Sequence, residues 1–263
     1  MAKLKYTFED YISNPSGKGS AVNSAAANQE TYEKELMSLE SRNDKAKYTV
    51  YRDSKPGGKH AYYIHFEIPS STKGFFNDVV IEFVQDDNDS GGIKTIKKYY
   101  SRFFSNDTNF VYTYAYTFKS HGVLIDGLER KLPLRCIIQK PIMRNPDNAM
   151  GYNKAIYFSY LIMLRENLFE KEILNRHITS GGLGKLSTTI KSFDQKQLER
   201  SKIEKELRDK GKKEDIKQPV NKVIKSKNLL GDTLEQLKPK VTKVVGTIGK
   251  SKTTTTTKKV KKR

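Results

Sequence analysis

The sequence predicts an α+β fold: a mostly antiparallel sheet or small barrel closed by one long helix, with extended arms at both ends. Three observations lead there. Residues 46–140 repeat an apolar alternation rich in β-branched and aromatic side chains. Residues 153–176 carry apolar positions at helical spacing. Charge is unevenly divided: residues 1–180 hold 25 Lys+Arg against 21 Asp+Glu, and residues 181–263 hold 24 against 9. The expected organisation is an N-terminal arm (1–45), a folded α+β core (46–180) and a basic C-terminal extension (181–263), partly helical and then disordered.

The totals agree with this division. A chain of 263 residues has room for one good-sized domain or two small ones. Apolar residues make up 36% and charged residues 30%, so part of the chain adds little to a core. Cys136 is the only cysteine, which excludes an intramolecular disulfide and fits a reducing compartment. Between Arg135 and Ile137-Ile138 it reads as a buried strand thiol. The opening Met1 to Tyr11 lacks the apolar run of a secretory leader. The longest apolar stretch, 155–164, falls short of the about 20 residues that span a bilayer. A soluble protein with no membrane span is expected.

Within the arm, Asn14 to Ser20 reads as a loop and Val22 to Leu39 as one helix with Leu36 and Leu39 in a sparse apolar stripe. Tyr48 to Asp53 and His60 to Ile68 alternate on either side of Pro56-Gly57-Gly58, which predicts a hairpin with Tyr62, Ile64, Phe66 and Ile68 on one face. Val79 to Val84 is a third strand. In 93–104, Ile96, Tyr99, Tyr100 and Phe103 stand three and four apart and favour a short helix.

The clearest strand is 110–118. Phe110, Tyr112, Tyr114, Tyr116 and Phe118 share one side, with Thr113 and Thr117 facing solvent on the other. Val123 to Ile125 and Arg135 to Gln139 are further strand candidates. One helix, 153–176, then packs its Leu161, Leu164 and Leu168 on the sheet or on a neighbouring subunit. Ser180 to Gly184 stops it. Phe193 to Lys210 is a charged helix with Leu198, Ile203 and Leu207 as its thin apolar stripe. The tail beyond it cannot offset its chain entropy and is expected to be disordered.

Few motifs carry chemistry. Gly181-Gly182-Leu183-Gly184-Lys185 has Thr179 and Leu186 where a phosphate loop needs Gly and Ser or Thr, and it reads as a helix stop and hinge. Asp86 to Gly91 opens like a calcium loop, but the twelfth position is Lys97 rather than a bidentate glutamate. His60, His65, His121 and His177 lack metal-ligand spacing and read as surface or boundary residues. Glu67 and Glu82 lie on neighbouring strands that could bring them face to face as the paired carboxylates of a glycosidase, but sequence does not set that geometry and single outward glutamates are commonplace on strands. No catalytic residue, cofactor site or metal site is expected.

Two features point to binding instead. The aromatic row Phe110, Tyr112, Tyr114, Tyr116, Phe118, with Leu161, Leu164 and Leu168, forms a candidate interface or core face. A base-stacking platform is its other reading, although such platforms use two or three aromatics. Lys250, Lys252, Lys258, Lys259, Lys261, Lys262 and Arg263 form a candidate polyanion-binding tail, for DNA or an acidic protein face.

The opening Tyr6 to Pro15 with Gly17-Lys18-Gly19 and an Ala-rich stretch, together with Tyr62 to Pro69 and Val79 to Phe83, resembles small virion proteins of tailed double-stranded DNA bacteriophages, in particular the crAss-like gut phages. It covers about a sixth of the chain and carries over no site residues. The resemblance implies a non-enzymatic virion structural protein, at the neck or tail, assembled in the host cytoplasm. Its partners would be copies of itself and other virion proteins, with DNA near the basic tail. The alternative is an autonomous, sequence-independent nucleic-acid-binding protein that uses its Lys-rich C-terminus.

Overall fold

The computed structural model describes residues 7–13, 25–55, 59–85, 94–143, 145 and 153–217. Residues 1–210 form one compact unit and 211–263 a second. The loops at 14–20 and 86–91, the glycine turn 56–58 and every residue of the candidate polyanion-binding tail lie outside the described residues, as does most of the turn at 145–148.

The fold is α+β, built on a five-stranded mixed sheet that is open rather than closed into a barrel. Strands β1 (Lys47–Ser54), β2 (His60–Pro69), β3 (Phe76–Val84) and β4 (Tyr100–Ser105) form an antiparallel meander. A two-residue strand, β5 (Ile178–Thr179), pairs parallel to β1, which gives the order β4-β3-β2-β1-β5. The barrel does not close because the free edge of β4 is taken by another segment: Phe103 N–H donates to the Val123 carbonyl, and Ile125 N–H donates to the Phe103 carbonyl. Val123 to Ile125 therefore contributes one bridge, Phe103 to Leu124, and no regular strand.

The register assigns two faces, because directly opposed residues point the same way and alternate residues point apart. Val50, Tyr62, Ile64, Phe66, Val79, Ile81 and Phe103 share one face and are buried. Against it pack α1 (Phe8–Ser13), α2 (Ala25–Arg42) and α5 (Lys154–Arg165). The Phe8 ring lies 5.4 Å from Phe83, 5.9 Å from Phe103 and 5.6 Å from Phe169, and Tyr11 lies 4.4 Å from Phe103. Segment 1–45 thus adds Phe8, Tyr11, Ile12, Leu36 and Leu39 to the core. The opposite face is mixed and holds Asp53, Tyr63, His65, Asp78, Glu82 and Arg102. It is covered by α7 (Gly182–Thr189) and by the start of α8 (Phe193–Lys217).

Several sequence expectations are corrected. Residues 96–99 form a turn and Tyr100–Ser105 a strand, because the helical spacing of Ile96, Tyr99 and Phe103 also serves a turn that buries its apolar side chains. Residues 110–118 are helical rather than extended: a π-helical turn, Phe110–Tyr114, runs into α3 (Ala115–Ser120). Asp107 starts it, its carboxylate accepting from the amides of Asn109 and Phe110 at 3.0 and 3.2 Å. Gly122 ends it at φ +71, with Val123 N–H on the Phe118 carbonyl and Gly122 N–H on the Lys119 carbonyl. Segment 135–139 falls largely in a helix, α4 (Leu134–Ile138), so Cys136 is a half-buried helical residue and not a buried strand thiol.

The single helix 153–176 is two. α5 ends at Arg165 and α6 (Lys171–Arg176) follows a break. Asn167 takes the left-handed conformation (φ +53), with Leu168 N–H donating to the Met163 carbonyl and Asn167 N–H to the Leu164 carbonyl. This is the doubly bonded helix terminus that Asn and Gly favour. α8 begins where expected and runs seven residues past Lys210 to Lys217. Leu198 and Leu207 stand nine residues apart and so lie half a turn out of phase at 100° per residue. Both are exposed, and they do not form one stripe.

Candidate functional site

The buried ionisable groups gather on the mixed face in two clusters. Glu82, with no solvent exposure, sits opposite Arg102 across β3 and β4. Arg102 Nε and Nη2 donate to its two carboxylate oxygens at 2.5 and 2.9 Å, and Nη1 donates to Asp126. Burial works against the Arg102 charge, and the Glu82 and Asp126 carboxylates more than offset it, holding the guanidinium above its ordinary value. Burial first, then the neighbouring Glu82, pushes the Tyr63 phenol up, so the hydroxyl stays protonated and accepts a hydrogen bond from Lys55 Nζ at 3.2 Å. A bidentate pair satisfied on both sides is what a buried charge needs to persist.

The second cluster joins α8 to the sheet. His65 is buried, contrary to the expected boundary position, and its Nε2 lies 3.0 Å from Asp78 Oδ1. Asn106 Nδ2 donates to Asp78 Oδ2 at 2.7 Å. Lys196, 7% exposed, reaches from α8 to place Nζ 3.4 Å from Asp78 Oδ2 and 2.9 Å from the Phe76 carbonyl. Burial alone would raise the Asp78 carboxyl. The His65 hydrogen bond, the Lys196 charge and Asn106 bring it below its ordinary value of 3.8.

A sign follows for acid stability. The carboxyl is more acidic folded than unfolded, so its contribution is full above 3.8 and is lost as pH falls through the folded value. Asp78→Asn is expected to cost about 3 kcal/mol at neutral pH. In urea unfolding at stepped pH, its gap from the wild type should narrow below pH 3.8. A gap that stays constant would refute the assignment.

Glu67 and Glu82 share this face, but Glu67 stands opposite Asp78 and Glu82 opposite Tyr63. The offset of four residues is about 13 Å along the strands, beyond the roughly 5–9.5 Å of a glycosidase pair. The two glutamates therefore do not face each other. The glycine segment is corrected. It follows β5 and opens α7 instead of stopping a helix. The Leu183 amide at that helix start donates to Asp53 Oδ2 at 3.0 Å, so the chain's own carboxylate sits where a phosphate would. Gly182, at φ +50, allows this: a Cβ there would fall 1.5 Å from Asp53 Oδ1. Among the described residues, no group of three His, Cys, Asp or Glu could hold a metal ion, and no helix is long and apolar enough to cross a membrane.

The candidate interface residues separate. Phe110, Tyr114 and Phe118, four residues apart, lie on one helical face inside the core, with Phe118 5.6 Å from Phe103 and 5.2 Å from Phe110. Thr113 and Thr117, expected in solvent, are buried, and Asn145 Nδ2 donates to Thr117 Oγ1 at 2.9 Å. Tyr116 is half-buried and Tyr112 is 38% exposed. Leu161 and Leu168 are buried, while Leu164 lies at the surface.

Sequence reasoning missed the exposed apolar surface. Of nine large exposed hydrophobic residues among the described ones, five surround α4: Tyr112, Leu134, Ile138, Ile142 and Met143. Ile142 is 80% exposed and Met143 91%. Tyr112, Ile142 and Met143, with Val111, Cys136 and the half-buried Tyr116, edge a groove of about 650 Å3 whose charged lining is Arg135 and Lys140; Leu134 and Ile138 lie outside it. The overlooked signal was the series Leu134, Ile137, Ile138, Pro141, Ile142, apolar beyond what a short helix buries. Met37 and Leu164, two further exposed residues, edge a groove of about 700 Å3 between α2 and α5. No protein-family model, curated protein or solved structure matches the chain.

Proposed function

We propose that this protein is a non-enzymatic assembly subunit of a tailed-phage virion, placed at the neck or tail, whose core contacts neighbouring subunits in a ring while its ends clasp them. The observation that carries the assembly reading is the apolar surface at α4 and 139–143, where Leu134, Ile138, Ile142 and Met143 are each more than 60% exposed. Large apolar side chains left this exposed within one short segment, 134–143, are the usual mark of a surface that another protein covers. The buried charges support the same reading, since Glu82, Arg102, Asp78 and Lys196 are engaged with one another inside the fold. The virion context rests on the resemblance of residues 6–19, 62–69 and 79–83.

The second reading, autonomous nucleic-acid binding, is favoured by charge alone: residues 211–263 hold 16 Lys+Arg against 4 Asp+Glu. Mass measurement by light scattering, at low and high salt, with and without duplex DNA, separates the two. The expected result is self-association that needs no DNA. A monomer that binds duplex tightly, with steep salt dependence lost on removing residues 185–263, would replace the assembly reading with the second one.

A further inference from the structure

The two exposed apolar surfaces differ in form and in charge. One is a projection: Ile142 and Met143 stand out beside α4, and Arg135 and Lys140 flank them. The other is a recess of about 700 Å3 between α2 and α5, floored by Leu36 and Leu161 and edged by Met37 and Leu164. That volume lies within the about 300–1,000 Å3 of sites that enclose a ligand, enough to take two projecting side chains. Its charged lining is Glu33, Glu40 and Glu166 against Lys45 and Arg165, a net negative charge. Arg165 is already engaged by Glu40 and Glu166.

The two surfaces belong to different elements: the recess lies between α2 and α5, which pack on β2 and β3. α4 packs on α3, whose Phe118 packs on Phe103 of β4. The recess includes Lys45 and Ala46, which lead into β1. We infer that the projection at Ile142 and Met143 of one copy inserts into the α2/α5 recess of a second copy, so that this chain associates head to tail. The inference rests on the assembly reading above and names its contact. The apolar tips fill the apolar recess, and Arg135 and Lys140 meet a rim whose three carboxylates outnumber its two cations by one. Because the two halves of the contact are different surfaces, each bound copy offers a fresh projection and a fresh recess. Such a heterologous contact makes a ring where the rotation closes and a filament where it does not.

Two variants at exposed positions test this while leaving the core alone. Ile142→Glu with Met143→Glu removes the projection, and Met37→Lys places a like charge in the recess. Sedimentation velocity on the full chain should show wild-type mass rising with concentration and each variant alone as a monomer. An equal mixture should give a species of twice the monomer mass and nothing larger, since one good projection meets one good recess. The inference is overturned by a monomeric wild type, by either variant alone assembling as the wild type does, or by a mixture that stays monomeric. Wild-type assembly that survives both variants removes this contact and leaves the assembly reading standing. A DNA-bound monomer removes both.

Discussion

Glu82→Ala is expected to destabilise the fold by about 3–5 kcal/mol, the usual cost of removing one partner from a buried ion pair. Glu82 has no solvent exposure and takes two of the Arg102 donors, so its loss leaves a guanidinium, itself only 15% exposed, facing a cavity. Asp126 does not compensate, because its side chain is 75% exposed and well hydrated. Replacing both partners, Glu82→Leu with Arg102→Met, should recover most of the loss, since two apolar groups of similar volume leave no buried charge unpaired. Chemical denaturation of the three proteins reads this directly. A single variant within about 1 kcal/mol of wild type would mean that the pair is not buried as described.

Phe118→Ala should cost about 3–5 kcal/mol, because Phe118 joins the helix at 110–120 to the sheet. Its ring contacts Phe103, Tyr11, Phe110 and Tyr114 at centroid distances between 5.2 and 6.3 Å. Tyr112→Ala, six residues earlier and 38% exposed, should stay within about 1 kcal/mol. An extended strand with all five aromatics on one face would give these two substitutions similar costs. Equal losses would therefore restore the strand and remove the helix.

These two residues also show what could be read in advance. The hairpin β1–β2, strand β3, the helix at 25–42 and the start of α8 were legible, because each has a local pattern that its environment did not override. The segment 110–118 was misread because alternation every two residues contains positions four apart. Phe110, Tyr114 and Phe118 satisfy a helix as well as a strand. The deciding signals lay outside the window, in Asp107 as a helix start and Gly122 as a helix end. Asn167 likewise split the helix 153–176, through its tolerance of the left-handed conformation.

The candidate site was legible only in part. Leu164 was named for its place in a helical stripe and does edge the α2/α5 recess. The projection at Ile142 and Met143 was not anticipated, because exposure belongs to what surrounds a residue and not to the residue itself.

By itself, then, the sequence determined the α+β class, the antiparallel hairpin and the division of charge between a near-neutral body and a basic end. These are properties of period and composition, carried by neighbours in the chain. Tertiary structure alone decided that Glu82 meets Arg102 rather than Glu67, that Lys196 crosses from α8 to Asp78, and that Ile142 is left in solvent while Phe118 is not. Each of these depends on groups brought together from distant parts of the chain, where register and packing geometry, not local preference, set the partner.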